Sequence, residues 1–282
     1  MSRNTTHRVR YGMAIDIDRC TGCGACMVAC AVENNVSVPP PPAGDRKGLT
    51  WIRVYRLHNE RPYPESRTAY LPLLCQHCGH HTPCVSVCPQ HATDIDPETG
   101  IVSQIPERCL GCRYCMAACP YHARYFTWWD PVWPAGMEEI FNPDVSPRMR
   151  GVVEKCNFCH GRRQVALQRA AAEGRRQIRD DEYRPACLEA CPVGAIHFGN
   201  LDDPKQELYD LVHGERAFRL LERLGTEPKI YYLSSQPWVR RLLHNGIPAS
   251  RRHPDGGRPD VAALRHQQVL ARDPRAEERR RS

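Results

Sequence analysis

Apolar positions along this chain come in short bursts, and the bursts break on cysteines and prolines. Residues 11–18 (YGMAIDID) predict a strand. Residues 51–57 (WIRVYRL) alternate apolar and charged side chains and predict another. Residues 94–104 (DIDPETGIVSQ) hold two short alternating runs around Pro-Glu-Thr-Gly, the pattern of a β-hairpin. Three stretches share one ending: CPQHATDID at 88–96, CPYHARYFT at 119–127 and CPVGAIHFG at 191–199. Each reads as a short helical turn stopped by Cys-Pro and followed by a strand, so the chain is internally repetitive.

The remainder is linker, insertion and tail. Residues 39–44 predict a Pro-rich loop, and residues 161–183, Arg-rich with an Ala run, an exposed helix. Residues 206–224 predict two short amphipathic helices broken at Gly214. Residues 230–233 read as extended and 239–243 as a last helical turn, while beyond Gly246 the composition predicts disorder. No stretch approaches the ~18 consecutive apolar residues of a membrane helix. The first twenty residues show neither a long apolar segment nor an adjacent Arg pair. The chain is therefore expected to be soluble or peripheral to the cytoplasmic membrane, with the cytoplasmic face favoured. Co-export with a signal-bearing partner leaves the periplasmic face open.

Composition sharpens this picture. With 16 Cys, 25 Pro and 19 Gly in 282 residues, and 7% aromatics, the chain is poorly equipped to build a large apolar core. Metal sites are one known substitute. The net charge of +7 is weak evidence for nucleic acid, because nine Arg against five acidic residues in 251–282 supply +4 of it. The +3 that remains on residues 1–250 is small, and an anionic cofactor would cancel it.

The sixteen cysteines divide evenly. Cys20, Cys23, Cys26 and Cys30 have the spacing C-x2-C-x2-C-x3-C, which Cys109, Cys112, Cys115 and Cys119 repeat. Cys75, Cys78, Cys84 and Cys88 form the second group, with five residues between Cys78 and Cys84. The fourth group is Cys156 and Cys159, then Cys187 and Cys191 after a 27-residue insertion. A C-x2-C-x2-C loop wraps one [4Fe–4S] cube and delivers three thiolates. The fourth cysteine, three residues on, points away and serves the partner cube of a pair. Gly22, Gly24 and Gly111 leave room for backbone N–H groups to face cluster sulfur.

Two other readings compete with cubanes. The fourth group alone would pass as a zinc site. A zinc cysteine-knuckle protein binding nucleic acid or a regulatory partner through the Arg-rich tail is thus the alternative. In groups one and three, however, the fourth cysteine is surplus to tetrahedral zinc. Disulfides fit poorly, since cysteines so closely spaced pair badly. His77, His80, His81 and His160 lie beside cluster cysteines but are expected at the surface or supporting the ligands. Trp128, Trp129 and Trp133 are expected to pack against a cluster domain or partner. No G-x-G-x-x-G after a strand, Walker loop or hydrolase triad pattern is present, and sixteen cysteines for sixteen irons leave no open coordination site. No catalytic residue is therefore assigned.

With four cubane motifs in this order, the chain resembles the electron-transfer (beta) subunits of molybdopterin oxidoreductases. These include dimethyl sulfoxide, polysulfide and tetrathionate reductases and sulfite dehydrogenases. The likeness runs over about residues 11–245 and is carried by AIDIDRCTGCGACMVAC, LCQHC…PCVSVCP, RCLGCRYCMAACPYHARYF and EKCNFC…PACLEACPVGAI. NPDVSPRMRGVVEKC is similar to relatives that sit beside a multi-span quinone-reacting subunit.

The resemblance implies an α+β fold of two ferredoxin-like 2×[4Fe–4S] modules, nested. Group one would pair with four, and group two with three; spacing alone leaves sequential pairing open. Cys20, Cys23, Cys26 and Cys191 would hold one cube, and Cys156, Cys159, Cys187 and Cys30 its partner. Cys75, Cys78, Cys84 and Cys119 would hold the third, and Cys109, Cys112, Cys115 and Cys88 the fourth. The expected layout is residues 11–70 and 131–200 as the two halves of an outer module, with 71–130 as the inserted inner module. A helical extension at 201–245 and a disordered tail at 246–282 would follow. Two departures stand out: Ala31 replaces the Pro that follows the other groups, so that helix is expected to run on, and the longer Cys78–Cys84 spacing implies a bulge. The implied role is a relay of single electrons between a molybdopterin-containing catalytic subunit and a polysulfide-reductase-type integral membrane quinone-reacting subunit, in sulfur-compound or similar respiration.

Overall fold

The computed structural model describes residues 9–38 and 49–244. The expected Pro-rich loop at 39–44 and disordered tail at 246–282 lie outside the described residues. The first strand, β1 (Tyr11–Asp16), leads through the first cysteine loop into α1 (Ala25–Glu33). With no proline after Cys30, α1 does run on, to Glu33. A two-stranded ribbon follows, β2 (Arg53–His58) antiparallel to β3 (Thr68–Leu73).

The second group carries the short helix α2 (Pro83–Ser86), then the expected hairpin, β4 (Thr93–Ile95) and β5 (Val102–Gln104). The third carries α3 (Tyr114–Ala118) and β6 (Tyr125–Phe126), which pairs with β7 (Val153–Glu154). The insertion in group four forms α4 (His160–Ala172), and α5 (Ala186–Glu189) precedes β8 (Ile196–Asn200). The C-terminal segment contributes α6 (Glu207–His213), β9 (Ala217–Phe218), β10 (Ile230–Leu233) and α7 (Pro237–His244).

One four-stranded sheet, in the order β8-β1-β10-β9, ties the ends of the described chain together. Strand β1 is parallel to β10 (Met13 opposite Ile230) and antiparallel to β8 (Ile15 opposite Ile196). Because side chains alternate across a strand, Met13 and Ile15 enter the main core while Ala14 meets Leu201, Leu208 and Val212 beneath α6. Both faces of β1 are thus covered. Tyr232 on β10 reaches out of the sheet, its hydroxyl donating to the Pro72 carbonyl at 3.1 Å and accepting from Gln76 Nε2 at 3.3 Å.

Helix α1 packs on α5, and α2 on α3, so group one meets group four and group two meets group three. Two sequence expectations need correction. The second helix expected in 206–224 is instead strand β9 and a single 3₁₀ turn, Glu222–Leu224; Phe218 pairs with Tyr232, where β10 offers an open edge. Helix α4 is not simply exposed, since Arg163, Ala166 and Ala170 are buried along one face. Among the described residues no helix is long and apolar enough to cross a membrane.

Candidate metal centres

Each cysteine loop turns on left-handed residues placed just before a helix. Gly22 (φ 73°) and Gly24 (φ 79°) precede α1, and Gly111 (φ 74°) and Arg113 (φ 64°) precede α3. At Gly22 a Cβ would run into the Tyr70 ring, and at Gly111 into the Gly151 carbonyl oxygen. Glycine is therefore required there both for φ and for space. The helices then place the third cysteine of each group, Cys26, Cys84, Cys115 and Cys187, in or near their first turn. The extra residue between Cys78 and Cys84 is absorbed at 79–82. There Gly79 N–H donates to the Glu227 carbonyl at 2.9 Å and His80 N–H to that of Thr226 at 3.3 Å, fastening the bulge to the C-terminal segment.

None of the sixteen cysteines forms a disulfide, and nine of them are buried. Cys30, Cys156, Cys159 and Cys187 line one cavity, walled by Trp51, Ile52, Leu74 and Phe158. Cys88, Cys109, Cys112 and Cys115 line a second. Cys26 is pushed up to about 11 by burial and then by the negative charges of Cys20, Cys191 and Cys23, which makes these four close neighbours. Cys78 is pushed up to about 12 by burial, then by Cys75, Cys84 and Cys119. The structure thus brings the cysteines together in fours, each with three from one group and one from another.

This environment fits a polynuclear cationic centre. Burial and mutual repulsion drive Cys30 and Cys187 well above the ordinary thiol range and Cys156 to about 12. Four such groups ionise together only if a metal supplies compensating positive charge. The thiols surround a cavity instead of converging on a point: among the described residues no three Cys, His, Asp or Glu are gathered tightly enough for a single ion. Backbone N–H groups already face sulfur, from Ala92 to Cys88 Sγ and from Ala195 to Cys191 Sγ, both at 3.2 Å. For Cys88, burial raises the pKa, but N–H donors from Thr93, Gln90 and Ala92 outweigh it and lower it overall.

Sequence reasoning missed a set of buried bases around these thiols. Arg124, Lys155 and Lys229 are 3%, 1% and 2% exposed. Lys155 Nζ donates to the carbonyls of Val102 and Cys156 (2.8 Å to the latter), and Lys229 Nζ to those of His77 (3.0 Å) and Gly100 (2.6 Å). His77 is fully buried and stacks on Phe158 with ring centroids 3.8 Å apart. Its Nδ1 accepts from Val102 N–H at 3.2 Å, and burial followed by Lys155, Lys229 and Arg124 lowers its pKa well below the usual range, so the ring is neutral. His80 and His81 are exposed, as is His160, the first residue of α4. The available signal was a charged residue inside an apolar burst, as in CPYHARYF.

Two family models, each described as a 4Fe-4S dicluster domain, match residues 16–92 and 66–135. The menaquinone reductase iron-sulfur cluster-binding subunit of Nitratidesulfovibrio vulgaris is 55% identical, covering 87% of this chain and 96% of that protein. An Hdr-like menaquinol oxidoreductase iron-sulfur subunit of Archaeoglobus fulgidus is 40% identical over 79% of this chain and 82% of its own length. The arsenate respiratory reductase iron-sulfur subunit of a Shewanella species is 32% identical over 80% and 97%. These relatives lend nothing to the zinc or nucleic-acid alternative. The chain has four [4Fe–4S] clusters as its cofactors and no catalytic site of its own. It belongs to the iron–sulfur electron-transfer subunits of respiratory oxidoreductases of the molybdopterin type.

Proposed function

We propose that this subunit relays single electrons between a molybdopterin-containing catalytic subunit and an integral membrane subunit of the polysulfide-reductase type that reacts with menaquinone. Each bound cluster supplies a one-electron store. The chain's own contribution is to fix four thiolate sets in a row and to tune their surroundings.

The observation that carries this reading is the sequence of neighbouring thiols. Cys26 feels Cys20 and Cys191, and Cys187 feels Cys26, which links the first set to that of Cys30, Cys156 and Cys159. Cys156 in turn feels Cys75, which leads to the set with Cys78, Cys84 and Cys119. Arg124 faces both Cys84 and Cys115, leading to the set of Cys109, Cys112 and Cys88. This supports the nested assignment. Cys20, Cys23, Cys26 and Cys191, and Cys156, Cys159, Cys187 and Cys30, form an outer module from 11–70 and 131–200. Cys75, Cys78, Cys84 and Cys119, and Cys109, Cys112, Cys115 and Cys88, form the inner module at 71–130. The menaquinone assignment rests on two relatives named for menaquinone or menaquinol. Peripheral attachment at the cytoplasmic membrane, on its cytoplasmic face, completes the proposal.

The test is to purify the chain, tagged, from detergent-solubilised membranes of its host and assay molybdenum and quinol-driven bleaching. The proposal expects about one molybdenum per chain and cluster absorbance that bleaches with a menaquinol analogue. A complex lacking molybdenum and inert to quinol would overturn it.

A further inference from the structure

Arg124 lies within the Cys-Pro stretch that ends the third cysteine group and is 3% exposed. No carboxylate pairs with it. Its Nη2 donates to Thr93 Oγ1 at 2.7 Å and to Gln104 Oε1, and Thr93 Oγ1 in turn donates to Gln104 Oε1 at 2.9 Å. One corner of the guanidinium is thereby held by neutral groups on β4 and β5. The other two nitrogens, Nε and Nη1, are buried and find no hydrogen-bond partner of good geometry, while the Cys115 sulfur comes close enough to act on the guanidinium as an acceptor. A buried guanidinium cannot shed its proton, and an unpaired buried charge with orphaned donors is costly. The thiols whose charges act on it most strongly belong to two different sets, Cys84 and Cys75 to one and Cys115 to the other.

We propose that Arg124 is a shared counter-charge for the two inner clusters, its Nε and Nη1 donating to cluster or cysteinyl sulfur and raising the reduction potentials of both. This deepens the ligand assignment above and rests on Cys84 and Cys115 belonging to different clusters. Reduction adds one negative charge to a cluster, so a fixed cation beside it stabilises the reduced form more than the oxidised one. Lys155 and Lys229 add to the positive field, but each spends two donors on backbone carbonyls. The charges that act most on Cys20 and Cys26 in the first set are those of neighbouring cysteines. Arg124 is a positioning residue in this sense: it sets how readily electrons rest on the inner pair.

The experiment is an EPR-monitored redox titration of anaerobically purified full-length holoprotein, with iron and sulfide counted in each sample. Cys84→Ser and Cys115→Ser first identify the two inner signals. Arg124→Gln is expected to lower both of their midpoints and leave that of the Cys20–Cys26 set in place. Arg124→Lys keeps the charge on a single ammonium, which cannot reach both clusters, and is expected to restore one of the two midpoints and leave the other lowered. Should Arg124→Gln fail to assemble clusters, Arg124→Lys carries the test, and a fall in neither inner midpoint overturns the proposal. Equal shifts of all four midpoints in Arg124→Gln, or none, overturn it as well. If Cys84→Ser and Cys115→Ser erase the same signal, it is the ligand assignment that fails.

Discussion

Cys30 on α1 and Cys187 on α5 line one cavity although they belong to the first and last cysteine groups of the chain. Burial, then the charges of Cys156, Cys159 and Cys187, pushes the Cys30 thiol well above its ordinary range. A group that costly to ionise is held as thiolate only by metal. Cys30→Ser is therefore expected to remove the cluster of the fourth group and leave the second and third groups intact. Iron would fall by about four per chain, with the spectroscopic signals identified through Cys84 and Cys115 unchanged. Loss of a signal belonging to the second group would refute the nested order.

Gly111→Ala and Gly22→Ala should each deplete a single cluster. The left-handed conformation costs a Cβ-bearing residue about 1–2 kcal/mol, and here the new Cβ also strikes Gly151 or Tyr70. Gly174 has a similar φ, +73°, but nothing within 4 Å of its Cβ position. Gly174→Ala is the control that bears the conformational cost alone and keeps its full iron content. Iron per chain in the three variants checks this.

Tyr121→Phe removes a clamp between the inner cysteine repeats and the C-terminal segment. The Tyr121 hydroxyl lies 2.6 Å from Thr226 Oγ1 and donates to the Leu220 carbonyl at 3.3 Å. Thr226 is buried, so its hydroxyl loses a partner in the variant. The expected cost is about 1 kcal/mol. Because cofactor loss makes unfolding irreversible, the readout is the rate of visible bleaching in denaturant, faster by up to roughly fivefold.

Glu154 predicts a pH dependence. Its carboxylate accepts from Trp51 Nε1 at 3.1 Å and Thr127 Oγ1 at 2.8 Å, yet burial raises its pKa above the ordinary 4.5. A carboxyl whose folded pKa is raised binds its proton more tightly in the folded state. Stability attributable to it is therefore greatest below 4.5 and declines as pH rises through the folded-state value. Glu154→Gln should flatten that decline, measured as bleaching rate against pH over the range in which the clusters survive.

The cysteine code was legible because its spacing is local: each loop needs only its own few residues to define three ligands. The hairpin at β4–β5 and the continuation of α1 past Cys30 were legible for the same reason, through the Pro-Glu-Thr-Gly turn and Ala31. What escaped depends on distant partners. Strand β3 contains Pro72, which argues against a strand until its position in an isolated two-stranded ribbon is seen. Strand β9 exists because β10 leaves an edge for Phe218 and Ala217. Arg124, Lys155 and Lys229 look like surface bases in sequence. Their burial makes sense only beside anionic clusters that the pattern of apolar residues does not reveal.

The measurement that bears most directly on the central claim is iron, zinc and acid-labile sulfide content of anaerobically purified chain, taken with its visible spectrum. Four cubane clusters require about sixteen irons and sixteen sulfides per chain, in a brown protein bleached by dithionite. A colourless protein holding about four zincs and no sulfide would contradict it.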